Sequence, residues 1–378
     1  MNVAQAMLTD GRTASILATA LPLGDADLLL AFGGTGTIEN LDFGKLRNAY
    51  PKALIAGCST AGGILQSQIL DNALVLTAVR FKNAKVRGAR LKLSDAKNSY
   101  GAGVSLALGL LGPDLRHVFV LTDGLRVNGS ELVEGLTSKL PPHVVVTGGM
   151  SADGARFKST FVLMDGNPEE GLVCAVGFYG EGLRIGYGSF GGWDPFGTDR
   201  LITKSDGNVL YELDGECALD LYKRYLGDYS KELPSSALLF PLLVRTGGDD
   251  PGVVRTILGI DESKRSMTFA GDMPAGARAR LMKANFDRLI DGATEAARVN
   301  ADALRGTKAK VALLVSCVGR RLVLKQRAEE EIEAVRDALG DKAVLTGFYS
   351  YGEISPLHPG ARCNLHNQTM SITTLAEA

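Results

Sequence analysis

Glu353 is the lone carboxylate in the segment Gly347-Phe-Tyr-Ser-Tyr-Gly-Glu-Ile-Ser-Pro356, where an apolar run from Ala343 to Thr346 ends in glycine. Glycine at such a place lets the backbone approach a ligand closely or adopt positive φ. Tyr349 and Tyr351 are two apart and share one face of an extended chain, with Phe348 and Ser350 on the other. Aromatic faces, a hydroxyl and a carboxylate at a strand end are the ingredients of a small-molecule pocket. With no nucleophile–base pair among them, they point to binding rather than turnover. Glu353 then serves a ligand ammonium, or alternatively accepts backbone N–H groups. Arg320 and Arg321 follow the apolar run Val311 to Val315. Their guanidinium forks suit a ligand carboxylate, with an inter-domain ion pair as the equal alternative.

Cys58 lies between Gly57 and Ser59 after the run Ala53 to Ala56. It reads either as a nucleophile among the N–H groups of a glycine-rich turn or as a packed, pocket-lining thiol. Packing is favoured, since cysteine is commonly buried and no histidine is near in sequence. Cys317 reads as a redox thiol beside two arginines, or more simply as core. Asp123 and Asp153 each precede glycine and are read as turn formers. Trp193 is either an aromatic pocket wall or a loop anchor whose indole N–H needs a partner. The turn Gly33-Gly34-Thr35-Gly36-Thr37 lacks the lysine of a phosphate loop, and H-E-x-x-H and G-x-S-x-G are absent.

The elements that must hold these residues are short. Runs of β type, Leu28 to Phe32, Ala53 to Ala56, Val118 to Thr122 and Val144 to Thr147, each end in glycine or Asp-Gly, which places their turns at sheet edges where ligands of layered folds lie. Helices are expected over Lys97 to Leu111, from Ser130 to Leu140, from an Asp214 N-cap to Leu226, from about Arg278 to Leu304, and over Ala328 to Leu339. Strands are expected over Phe161 to Met164, Leu172 to Tyr179, Arg184 to Tyr187, Arg200 to Lys204 and Val311 to Val315, in a block from Ala237 to Ala270, and along the tail from Arg362 to Leu375. Residues 53–64 and 343–354 share strand, glycine, four residues, glycine, one residue, isoleucine. That echo reads as a duplicated device or as chance similarity of two glycine-closed strands.

The bulk properties fit an α+β protein of layered sheets and flanking helices in two domains, 1–210 and 211–378. A chain of 378 residues is long for one core. Net charge is −1 without long charged runs, which argues against nucleic-acid or membrane surfaces. Five cysteines without a C-x-x-C pair suit a reducing compartment and no metal framework. Asp10, Arg12 and Pro22 break up the N-terminus, which lacks a signal-peptide pattern, and no apolar run reaches membrane-spanning length. The expectation is a cytoplasmic protein.

Taken in order, these segments resemble the FIST family, sensory proteins built from a FIST N and a FIST C domain. The matching pieces are GCSTAGG (57–63), LTDG (121–124), GGMSADGARF (148–157), TKSDGNVLYELDG (203–215), SCVGRR (316–321), GFYSYGEISP (347–356) and LHNQT (365–369). The resemblance implies a ligand-binding sensor with amino acids as proposed ligands. Its binding set here is Cys58, Ser59, Thr60, Gly149, Met150, Arg320, Tyr349, Tyr351 and Glu353. Gly63 stands where many relatives carry Glu. Some free-standing relatives resemble haem-containing nitric oxide sensors that regulate a histidine kinase. For haem, the axial ligand here would be His366, which shares a strand face with Asn364, Gln368 and Met370; a hydrogen-bonded structural role is the commoner one for a lone histidine. No C-x-x-C-H is present for covalent attachment. With no residues left for an output domain, the signal is expected to pass to a separate partner protein. The competing class is an acyl or amide enzyme using Cys58.

Overall fold

The apolar runs that end in glycine do form strands, and several of the closing glycines lie where two strands come too near for a side chain. The computed structural model describes residues 1–9, 23–247, 250, 252–304 and 306–378. Asp10, Arg12 and Pro22 lie outside the described residues.

The chain opens with β1 (Asn2–Thr9), β2 (Leu28–Gly33), α1 (Thr35–Glu39), α2 (Phe43–Ala49), β3 (Leu54–Ser59), β4 (Gly63–Leu65), β5 (Gln68–Leu70) and β6 (Ala73–Arg80). Next come β7 (Lys85–Lys92), α3 (Ser99–Leu110), β8 (Leu115–Thr122), α4 (Gly129–Lys139), β9 (Val145–Met150), β10 (Val162–Met164), β11 (Leu172–Tyr179) and β12 (Leu183–Phe190). Nine strands between Asp194 and Lys283, β13 to β21, make a sheet of their own that packs α5 (Ala218–Leu226). Of these, β17 is Leu242–Arg245, β18 is Val253–Arg255 and β21 is Arg278–Lys283. The chain ends with α6 (Phe286–Ala303), β22 (Val311–Cys317), α7 (Val318–Leu324), α8 (Ala328–Leu339), β23 (Val344–Ser350), β24 (Glu353–Ser355), β25 (Asn364–His366) and β26 (Met370–Glu377).

The other three sheets repeat one plan. Their strand orders are β1-β6-β2-β3-β10, β7-β11-β8-β9-β24-β25 and β12-β26-β22-β23-β4-β5. Each is centred on a parallel pair, β2/β3, β8/β9 or β22/β23, with an antiparallel neighbour on either side. The short strand that follows each pair crosses to another sheet. Thus β4 leaves β3 and joins β23, β24 leaves β23 and joins β9, and β10 leaves β9 and joins β3. The exchange is cyclic. Three backbone hydrogen bonds close it: Ala61 N–H to Tyr349 O at 2.9 Å, Tyr351 N–H to Met150 O at 3.3 Å, and Ala152 N–H to Ser59 O at 3.0 Å.

The echo of residues 53–64 in 343–354 is therefore part of a set of three. The third member, 144–155, carries Asp153 and Ala155 in place of the second glycine and the isoleucine, which hid it in the sequence. Gly57, Gly148 and Gly347 oppose Ala31, Val120 and Leu314 across the parallel pairs. A Cβ at these glycines would lie 2.0, 2.0 and 1.8 Å from the opposing carbonyl oxygens, closer than any side chain can sit.

Two of the three sheets draw strands from both sides of residue 210, with β4, β5 and β12 joining β22, β23 and β26, and β24 and β25 joining β7, β8, β9 and β11. All three bury Leu30, Phe32, Phe119, Leu121, Leu313 and Phe348 in one apolar cluster, with the Phe32 and Phe348 ring centroids 4.9 Å apart. Each such fully buried side chain contributes about 1.5–3 kcal/mol.

Some element bounds differ from expectation. The run from Arg278 to Leu304 divides into β21 and α6, because Asn285 caps the helix by accepting from Arg288 N–H. Leu281 is then a strand residue, while Leu289, Ala293, Ala296 and Ala297 keep the expected buried stripe. Asp214 does not cap a helix; it has φ 51° between two strands, and α5 starts four residues later. The tail is two strands rather than one, broken by Gln368 at φ 65°.

Candidate functional site

A cleft of about 890 Å³ among the described residues opens where β2 and β3 end. Its floor is the glycine-rich turn that leads from β2 into α1. Gly34 is required there by close approach, since a Cβ would lie 2.4 Å from Asp71 O. Thr35, Thr37, Asn40 and Asn72 offer polar groups around it. Thr60, just past β3, donates its hydroxyl to Gly33 O at 3.2 Å and accepts from Gly62 N–H at 3.2 Å.

The charged wall comes from three parts of the chain. Arg321, on α7, holds Asp71 with both guanidinium nitrogens, Nη1 to Oδ1 at 2.6 Å and Nη2 to Oδ2 at 2.9 Å. It also donates to Ala61 O and lies over the Tyr349 ring at 5.6 Å. The Arg321 hydrogen bond, reinforced by its charge, outweighs partial burial and lowers the Asp71 pKa. Arg156 donates to Thr35 Oγ1 at 3.0 Å, and its Nε is 3.9 Å from Asp153 Oδ2.

Asp153 is a loop organiser as well as a cleft residue. Its carboxylate accepts from the N–H groups of Phe157, Lys158 and Ser159 at 2.8, 2.8 and 3.1 Å and from the Tyr351 hydroxyl. Burial alone raises a carboxyl pKa; here those hydrogen bonds win, and the net direction is down. Asp123 organises its own turn by accepting from Leu125, Arg126 and Gly171 N–H. Both aspartates thus act as the turn formers read from Asp-Gly.

The structure brings only some of the expected binding residues to a cleft. Thr60 lines the large one. Met150 and Tyr351 line a separate cleft of about 270 Å³, where Tyr351 stacks on Phe157 with centroids 4.6 Å apart. Cys58, Ser59, Gly149, Arg320, Tyr349 and Glu353 are buried and line none of the clefts described. Tyr351 and Arg321 thus line different clefts, and Glu353 and Arg320 line neither.

Each buried residue has an internal use. Ser59 Oγ accepts from Phe161 N–H at 3.0 Å. Gly149 leaves room for the Val315 side chain, which a Cβ would meet at 2.5 Å. Arg320 donates to Glu331 Oε2 from Nε and Nη2 at 3.0 and 2.8 Å and to the carbonyls of Gly191 and Leu289. Tyr349 donates to Glu331 Oε1 at 2.7 Å. Glu353 accepts from Ser350 Oγ at 2.6 Å and from Thr369 N–H and Oγ1 at 3.1 and 3.0 Å. Burial raises its pKa to about 8, against the pull of these hydrogen bonds and of the Arg320 charge.

Cys58 is fully buried, and burial pushes its thiol well above the ordinary range, the opposite of an activated nucleophile. Cys317 behaves alike, buried rather than poised for redox chemistry. Trp193 anchors its loop by donating to Gln368 O at 2.9 Å. His366 is 1% exposed with Nε2 2.9 Å from Ser355 O, and burial lowers its pKa to about 4. No described cleft reaches its ring, so the surroundings of His366 do not fit a haem axial ligand. Among the described residues no group of three or more His, Cys, Asp or Glu is placed to hold a metal ion.

Arg321 stands out in the sequence beside Arg320, and Arg156 lies within GGMSADGARF, whereas Asp71 and Asn72 carry no local signal for the cleft. The signal for the cleft is the Gly33–Thr37 turn, which closes the run Leu28 to Phe32 at a sheet edge where ligands are expected.

A family model described as FIST N domain matches residues 27–216, and one described as FIST C domain matches residues 218–356. An uncharacterised protein of Methanocaldococcus jannaschii is 29% identical over 113 residues, 30% of this chain. The match spans about a fifth (22%) of that relative's length. A solved structure, cyanuric acid hydrolase from A. caulinodans, aligns over 78% of this chain and 99% of its own at 11% identity. Its TM-score is 0.18. No helix among the described residues is long and apolar enough to cross a membrane.

Proposed function

We propose, from the premise that this chain belongs to the FIST family of sensory domains, which bind small ligands in signal transduction, that its ligand is amino-acid-like and occupies the cleft at the ends of β2 and β3. One observation supports this reading most: the Arg321 guanidinium and the Asp71 carboxylate stand side by side on the cleft wall. A zwitterion has a complementary group for each, and threonine hydroxyls and asparagine amides surround them.

The pair also suggests how occupancy is transmitted. Arg321 lies in the FIST C match and Asp71 in the FIST N match. A ligand that competes for either charge favours one arrangement of α7 against the first sheet over another. Signalling requires that the two arrangements bind the ligand unequally. A separate protein, such as a histidine kinase, reads the difference.

The test is a thermal-shift screen of the standard amino acids on the purified protein and on Arg321→Met. A native-state binder raises the midpoint. The reading expects at least one amino acid to do so and the variant to lose most of the rise. No shift with any amino acid, or shifts indifferent to Arg321→Met, overturns it.

A further inference from the structure

Arg255 on β18 is 6% exposed, and no described carboxylate pairs with it within 4.0 Å; the carboxylate of Asp272 acts on it only from beyond that distance. Among the described residues its hydrogen-bond partners are main-chain carbonyls, Leu365 O from Nη1 at 2.9 Å and Asp272 O from Nε at 3.4 Å. A guanidinium has five N–H donors, so these leave several without a protein acceptor. Gly271 makes the seat, because a Cβ there would fall 2.7 Å from Arg255 Cζ. A buried charge is expected to be paired, and an unpaired one is costly.

This guanidinium lines a cleft of about 550 Å³, apart from the one at β2. The cleft lies between α4, the β17/β18 edge and residues 357–365. Ser130 Oγ, on α4, is buried on the same lining with no hydrogen-bond partner. Two polar groups of separate elements thus await one occupant.

We propose that this cleft is a second ligand site, for a small aliphatic monocarboxylate whose carboxylate pairs with Arg255. The remaining walls define the class. Val133, Val244, Val253 and Leu365 give the body of the ligand an apolar bed. The acidic groups on the lining, Glu134, Asp250 and Asp272, outnumber its two arginines, Arg255 and Arg362, and so disfavour a multiply charged anion such as phosphate. Asp250 is itself occupied, accepting from Thr246 N–H, Thr246 Oγ1 and Gly252 N–H, so it does not neutralise Arg255. The bound carboxylate gives the guanidinium a direct ion pair, and Ser130 Oγ–H donates to its second oxygen.

Calorimetric titration with butyrate tests the assignment, with butyramide and inorganic phosphate as the other arms. Butyrate is expected to bind, butyramide to bind at least about tenfold more weakly, and Arg255→Met to weaken butyrate by at least about tenfold. Val253→Phe fills the apolar bed and leaves Arg255 in place, so it decides the matter if Arg255→Met does not fold; it too is expected to weaken butyrate by at least about tenfold. Absence of butyrate binding, equal binding of butyramide, or indifference to the substitutions overturns the site. Arg255-dependent binding of phosphate in place of butyrate overturns the monocarboxylate class. Neither substitution lies in the β2 cleft, so failure here is distinguishable from failure of the amino-acid reading.

Discussion

Arg321 and Asp71 are 250 residues apart in sequence and joined by two hydrogen bonds at the mouth of the main cleft. The Asp71 pKa is lowered first by the Arg321 hydrogen bond, so the sign is that of a depressed carboxyl. The stability it adds is present above the unfolded carboxyl pKa and is lost as the pH falls through the folded one. Asp71 is mostly exposed, so solvent screening keeps the contribution within about 1 kcal/mol. Wild type is expected to lose slightly more stability than Asp71→Asn below about pH 4. Urea midpoints at pH 3 and pH 7 check it.

Glu353 has the opposite sign. Its folded pKa of about 8 lies above the ordinary 4.5, so the neutral form is favoured by folding. The stability this gives is complete below the unfolded value and disappears as the pH climbs through about 8. Urea midpoints of wild type are expected to fall between pH 5 and pH 8, and Glu353→Gln to flatten that slope. An equal slope in both proteins refutes the assignment.

Glu331 accepts from Arg320, Tyr349 and Ser316 with no exposure of either ion-paired side chain. Glu331→Gln leaves a buried guanidinium without its counter-charge. The loss is expected to be about 3–5 kcal/mol, read from equilibrium urea unfolding. A change under about 1 kcal/mol would indicate that the cluster relaxes with little cost.

The three strand-pair glycines give a steric test. Gly347→Ala places a Cβ against Leu314 O at 1.8 Å, and it is expected to cost more than about 3 kcal/mol or prevent folding. Gly36, whose Cβ would meet nothing within 4 Å, is the control, and Gly36→Ala is expected to leave the melting midpoint nearly unchanged. Equal effects would mean that the close approach is absent in solution.

Cysteine labelling separates the sensory reading from a thiol enzyme. Of the five cysteines only Cys217 is not buried. Iodoacetamide on the native protein is expected to label Cys217 first and Cys58 only on unfolding. Rapid modification of Cys58 would revive the enzyme reading.

Local chemistry was legible in the chain itself. Gly57 and Gly347 stood out because a glycine closing an apolar run has few uses other than tight approach, and Asp123 and Asp153 organise turns through contacts a few residues away. α8 kept its expected bounds, Ala328 to Leu339, because its pattern is periodic and Gly340 stops it. What escaped was everything set by distant partners. Nothing in the order of residues tells that β4 pairs with β23, β24 with β9 and β10 with β3, since strand exchange depends on packing between sheets rather than on local preference. Arg320 and Arg321 are the sharpest case. They are chemically identical neighbours, yet the turn from β22 into α7 directs one into the interior to Glu331 and the other to Asp71 and the cleft. Composition and spacing supplied the charges; only the folded chain assigned each its counter-ion, because burial and pairing belong to three-dimensional surroundings.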